Sequence, residues 1–127
     1  MCLDVIHKRK PNPVGKGYNI FRIWKGKLYP MFVRTRGHFL LRRWIKNSDQ
    51  KIRHTNYCSK IHEYQPGFHI YVNKSDAKEL FDLLKDKESY CIKRVEYRKA
   101  YISGTVWDWI TNIDAKTIVA EEMRIQK

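Results

Sequence analysis

Between positions 22 and 57 aromatic side chains alternate with arginine and lysine, a pattern suited to holding a polyanion. Arg22, Trp24, Lys25, Lys27, Tyr29, Arg34, Arg36, Arg42, Arg43, Trp44, Lys46, Lys51, Arg53 and Tyr57 combine cations with flat rings. Cations that neutralise phosphate release its condensed counterions, so affinity falls steeply with salt. A base stacked on an aromatic ring adds about 1–3 kcal/mol. The candidate phosphate-binding residues are Arg34, Arg36, Arg42, Arg43, Lys46, Lys51 and Arg53, with Lys8, Arg9 and Lys10 nearer the start, and the candidate stacking rings are Trp24, Trp44 and Tyr57. A competing arrangement packs Trp24, Tyr29 and Trp44 into the core and leaves only the cations outside. No zinc-finger spacing and no aromatic motif of the RNA-recognition type accompanies the cluster. The expected partner is therefore nucleic acid or a nucleoprotein complex, of a kind the residues do not specify.

The distribution of charge sharpens that expectation. Residues 1–60 carry 15 Lys and Arg against 2 Asp and Glu, whereas residues 61–127 carry 11 against 11, which together give the net charge of +13. The whole excess lies in the first half, as a basic face or arm aimed at a polyanion would require. A basic surface with no partner is the plainer alternative.

A second set of residues could do acid–base chemistry. His69 follows a Pro66-Gly67 turn and leads towards a helix start at Ser75. In one cleft with Cys2 or Glu96 it could act as a general base, and the N–H groups after Ser75 could take a phosphate. Cys2 would become N-terminal on removal of Met1, placing an α-amine beside its own thiol. His69, Cys2 and Glu96 are thus the catalytic candidates of an alternative reading, a nucleotide-binding protein or small enzyme acting on a phosphorylated ligand. A histidine bonded to backbone is the ordinary role for such a residue. His54, Cys58 and His62 at i, i+4, i+8 would line up for a metal only on a helix, which Thr55, Asn56 and Ser59 disfavour. Neither a metal nor a cofactor is expected, and no P-loop, GxSxG or HExxH is present. Three cysteines without a CxxC pair do not make a disulfide framework or a zinc ribbon.

These residues need elements to position them. The length of 127 residues with 43% hydrophobic side chains suits one core. Lys8 to Gly17 holds two prolines and two glycines, so residues 1–17 read as a flexible or extended basic arm and residues 18–127 as a single α+β domain. Tyr18–Ile23 and Leu28–Val33 read as a hairpin turning at Gly26, with Pro30 confining the second run to a sheet edge. His38–Ile45 reads as a strand with apolar residues on both faces, and Lys46–Asn56 as an exposed loop. Phe68–Val72 is a strand, and Ala77, Leu80, Phe81 and Leu84 at i, i+3, i+4, i+7 mark one main helix over about 75–87, capped by the Ser75 hydroxyl. Ser89–Arg98, Tyr101–Trp107 and Thr117–Ile125 complete a mainly antiparallel sheet of five to seven strands. No run of roughly 18 apolar residues exists and the start lacks the apolar segment of a signal peptide, so no membrane association and a cytoplasmic location are expected.

Met1-Cys2-Leu3, Gly67-Phe68-His69 with Asp76-Ala77, Val95-Glu96-Tyr97-Arg98 and Ile118-Val119-Ala120-Glu121-Glu122-Met123 resemble a group of small uncharacterised proteins of bacteriophages and mobile elements. The resemblance touches about half of the chain in short patches. It implies a viral context, the host cytoplasm as location, and action on host nucleic acid, enzymes or defence systems. Gly67 to Ala77 is also similar to ADP-ribosyltransferase-like folds, in which a glycine and an aromatic strand lead into a helix with an early alanine. The chain departs from that pattern in lacking a recognisable catalytic glutamate loop and first-strand signature.

Overall fold

Two long alternating runs near the end of the chain form the spine of the protein. The computed structural model describes residues 5–7, 9–30, 39–46, 67–108 and 113–126. Among them are seven strands, β1 (Val5–Ile6), β2 (Gly15–Trp24), β3 (Lys27–Pro30), β4 (Trp44–Lys46), β5 (Phe68–Tyr71), β6 (Tyr90–Asp108) and β7 (Ile113–Ile125), and one α-helix, α1 (Lys74–Asp82). The expected α+β class with a mainly antiparallel sheet and one main helix is present. β6 and β7 pair antiparallel from Asp108↔Ile113 to Val95↔Ile125.

The two separate strands expected over 89–98 and 101–107 are one strand of 19 residues. The ladder shifts register between Ala100 and Ile102, beside Lys99 at φ 57°. A bulge of this kind absorbs one extra residue and re-aims the strand without ending it. Gly104 does not break the strand either, because it pairs with Thr117 on one side and Ile6 on the other.

The sheet closes on itself. β2 pairs with β6 from Gly15↔Tyr97 to Arg22↔Tyr90, β5 pairs with β7 from Phe68↔Ala120 to Tyr71↔Thr117, and β2 meets β5 at Tyr18↔Tyr71. With the β6–β7 ladder these pairings make a ring of four strands. Phe21, Phe68, Ile70, Val95, Tyr97, Met123 and Ile125, drawn from all four, form the main core together with Phe39. Phe39 stands edge-on to Phe21 and Phe68 at 5.7 and 6.2 Å between ring centres. The closure depends on Gly17. A Cβ there would lie 2.5 Å from Ile70 Cγ2 and 2.7 Å from the Tyr71 carbonyl oxygen, so no larger residue lets β2 approach β5.

The remaining elements hang on this ring. α1 buries Ala77 and Leu80 against Ile20, Tyr71 and Ala115. The helix is shorter than the expected 75–87 and begins differently. Asn73 is the N-cap, Ser75 lies inside the first turn, and Asn73 Nδ2 donates to Asp76 Oδ2 at 3.2 Å. The helix stops at Asp82 because Lys85-Asp86-Lys87-Glu88 offers no apolar side chain to bury, and a helix this short needs packing to persist. A 3₁₀ turn over Lys87–Ser89 leads into β6.

The strand expected over His38–Ile45 is also broken up. Phe39 bridges Leu28, Trp44–Lys46 pairs with β7, and between them Arg42 at φ 62° donates its N–H to the Ile125 carbonyl at 2.9 Å. A run with apolar residues on both sides has no single face to bury, and here Phe39 goes inward while Leu40 and Leu41 stay exposed. The described part of the basic arm lies along the β6 edge. Val5–Ile6 pairs with Gly104 and Thr105, His7 N–H donates to the Ser103 carbonyl at 2.8 Å, and Pro13 accepts from Ala100 N–H at 3.0 Å. Gly15, Lys16 and Gly17 already belong to β2. No helix among the described residues is long and apolar enough to cross a membrane.

Candidate nucleic-acid interface

The β2–β3 hairpin carries the first cation–aromatic group. Its two-residue turn is Lys25–Gly26, with φ of 50° and 73°, the left-handed pair that suits the twist of the flanking strands. Trp24 and Lys27 are the last paired residues before the turn. Trp24 is 57% exposed, so of the two arrangements open for this residue the core one does not hold. Its ring lies 6.1 Å from that of Tyr29, edge to face. Lys25 Nζ sits 4.6 Å from the Trp24 ring centre, and the Arg22 guanidinium 5.6 Å from that of Tyr29.

The second group is a charge ladder across β4, β7, β6 and β2. Trp44 is in register with Arg124, Arg124 with Glu96, and Glu96 with Lys16; one row along, Lys46 faces Glu122 and Glu122 faces Arg98. Opposite charges placed across a ladder attract, and here each arginine also meets the indole. The guanidinium carbons of Arg98 and Arg124 lie 4.0 and 4.8 Å from the Trp44 ring centre.

Glu122 is fully buried beneath the side chains that bind it, with Arg98 Nη2 2.7 Å from Oε1 and Lys99 Nζ 2.8 Å from Oε2. The Arg98 hydrogen bond, then that of Lys99, holds the carboxyl down at about 2. Arg124 Nη2 donates to Glu96 Oε2 at 2.6 Å and Gln126 to the other oxygen, and the arginine chiefly lowers the proton affinity of Glu96. These carboxylates are saturated by their own cations. Arg42, Arg43 and Lys46 remain exposed beside the ladder, and Arg9 and Lys10 are exposed on the arm.

Of the acid–base candidates, His69 and Glu96 are not brought together. His69 sits on β5 opposite Val119, while Glu96 sits opposite Arg124. The five residue steps along β7 from Val119 to Arg124 span roughly 17 Å of strand. Burial lowers the His69 imidazole to about 4, which keeps it neutral at physiological pH. Cys2, Lys8, Arg34, Arg36, Lys51, Arg53 and Tyr57 lie outside the described residues, as do His54, Cys58 and His62. Among the described residues no group of His, Cys, Asp and Glu could hold a metal.

The structure thus brings together Trp44 and Lys46 from the sequence reading, and adds Arg98, Lys99, Glu122 and Arg124, which that reading did not single out. Their signal was present as Arg94, Glu96 and Arg98 on the polar side of a strand. What that signal lacked was the register with β7. The chain matches no family model, no curated protein and no solved structure.

Proposed function

We propose that the chain is a small basic, non-enzymatic protein of phage type that docks on nucleic acid or a nucleoprotein complex and through it modulates host defence or transcription. One observation carries this reading: Arg42, Arg43 and Lys46 are exposed beside a ladder whose two carboxylates are already taken up by Arg98, Lys99 and Arg124. Among the described residues the carboxylates of that face, Glu96 and Glu122, are already paired, and cations left exposed beside them give a local field that attracts phosphate. The phage setting rests on the short sequence patches alone.

Fluorescence anisotropy with a labelled oligonucleotide across salt tests the binding. A protein that neutralises about four phosphates loses roughly 100-fold in affinity between about 50 and 200 mM salt. Reversing two cations in Arg42→Glu with Arg43→Glu is expected to abolish binding at the higher salt. Affinity that does not change with salt would sink the reading.

A further inference from the structure

We infer that the tip of the β2–β3 hairpin is a stacking site for unpaired bases, which makes single-stranded nucleic acid the preferred ligand. The inference rests on the polyanion-binding reading above and adds to it the state of the strand. Phe21, Phe39, Phe68, Tyr71 and Tyr97 are all less than a tenth exposed, whereas Trp24 keeps 57% of its surface in solvent at the end of a strand. The other described aromatic rings of known exposure are buried or half-buried, and an indole left in solvent beside a second ring and two cations offers a contact surface. The left-handed Lys25–Gly26 turn fixes the strands on either side of it, so the ring is presented on a short and preorganised support.

The surroundings select the ligand. The hairpin contains Lys16, Arg22, Lys25 and Lys27 and no acid, and no Asp or Glu occurs between Asp4 and Asp49. Tyr29, 6.1 Å away, stands edge-on to Trp24, with Arg22 over its ring. Two adjacent rings bordered by cations match a base next to its phosphate. Bases in a duplex are stacked on one another and offer only their edges, and unstacking a step costs a few kcal/mol. An unpaired base presents its whole face at no such cost, and stacking accepts any base. Among the described residues the cation over the Trp24 ring is Lys25 Nζ, on an exposed side chain that can move aside for a base to enter.

Anisotropy titrations with a labelled oligothymidine, an oligouridine and a duplex of equal length, at one low salt concentration, test this on the full chain. The unmodified protein should bind the single strands more tightly than the duplex. Trp24→Ala should weaken single-strand binding roughly 5- to 100-fold, the loss of one stacked base, and change duplex binding less than about twofold. Trp24→Phe should restore most of the loss, which a folding defect would not allow. Equal weakening for single strand and duplex, or no weakening, overturns the stacking site while salt-dependent binding still supports the broader reading. Binding to neither ligand at any salt overturns both. Loss of binding to anionic phospholipid vesicles with oligonucleotide binding intact would assign the tip to a membrane surface instead and overturn the inference.

Discussion

Replacing Glu122 by glutamine tests whether the buried carboxylate holds the charge ladder together. The change keeps the shape and removes the charge that Arg98 and Lys99 share. A tenfold change in proton affinity corresponds to about 1.4 kcal/mol. The fall of Glu122 from 4.5 to about 2 therefore sets a ceiling of roughly 3 kcal/mol on the net stabilisation by its charge, in which the ion pairs outweigh desolvation. Solvent reaches both partners, since the Arg98 and Lys99 side chains are 39% and 66% exposed, and screening reduces the figure. We expect Glu122→Gln to cost about 1–2 kcal/mol at pH 7, or about 4–7 °C in melting temperature for a chain of this size.

The pH dependence gives a sharper reading. A carboxyl depressed in the folded state stabilises above its unfolded value, and that stability disappears as pH falls through the folded value. The difference between the wild type and Glu122→Gln should be constant down to about pH 5 and shrink between about 4.5 and 2. Circular-dichroism melts of both proteins at pH 7, 4 and 2.5 measure it. Equal melting temperatures at pH 7, or a gap that persists unchanged at pH 2.5, would refute the reasoning.

Two further outcomes follow from the packing. Gly17→Ala drives a methyl group against the Ile70 side chain and the Tyr71 carbonyl, and should destabilise by about 1–3 kcal/mol in urea unfolding; an unchanged midpoint would show that β2 and β5 do not approach as described. His69, lowered to about 4 by burial, stays neutral while an unfolded histidine gains a proton near 6.5, so its contribution to stability is lost as pH falls from 6.5 towards 4. Its ring resonances in a nuclear magnetic resonance titration should not shift between pH 8 and 5, and a midpoint near 6.5 would place the ring in solvent.

Elements with one apolar face were legible from spacing alone. Ala77, Leu80 and Phe81 mark α1 because burial of a single face imposes its period, and the hairpin shows as two apolar runs about Gly26 even though Ile20 and Phe21 are buried in different clusters. His38–Ile45 and Tyr90–Asp108 depart from the strands expected there for opposite reasons. The first has two apolar faces and divides into a bridge, a turn and a short strand, while the second carries a glycine that looks like a break and a lysine whose left-handed backbone forms the bulge. The exposed lysines and arginines of the first half could be named from the sequence, since cations seldom lie in a core.

Composition and order along the chain determined the imbalance of charge, the antiparallel α+β class and the basic hairpin with its Lys25–Gly26 turn, because each depends on neighbours a few residues apart. The tertiary structure decided what depends on distant partners. Closure of β6, β2, β5 and β7 into a ring needs Tyr18 beside Tyr71, residues more than fifty positions apart, and the glycine that permits it has no local signature. The same holds for Trp44 against Arg98 and Arg124, and for Glu122 beneath Arg98 and Lys99. Register between strands places these groups together, and it is set by the packing of the whole core. For the same reason only the structure could put Trp24 outside that core.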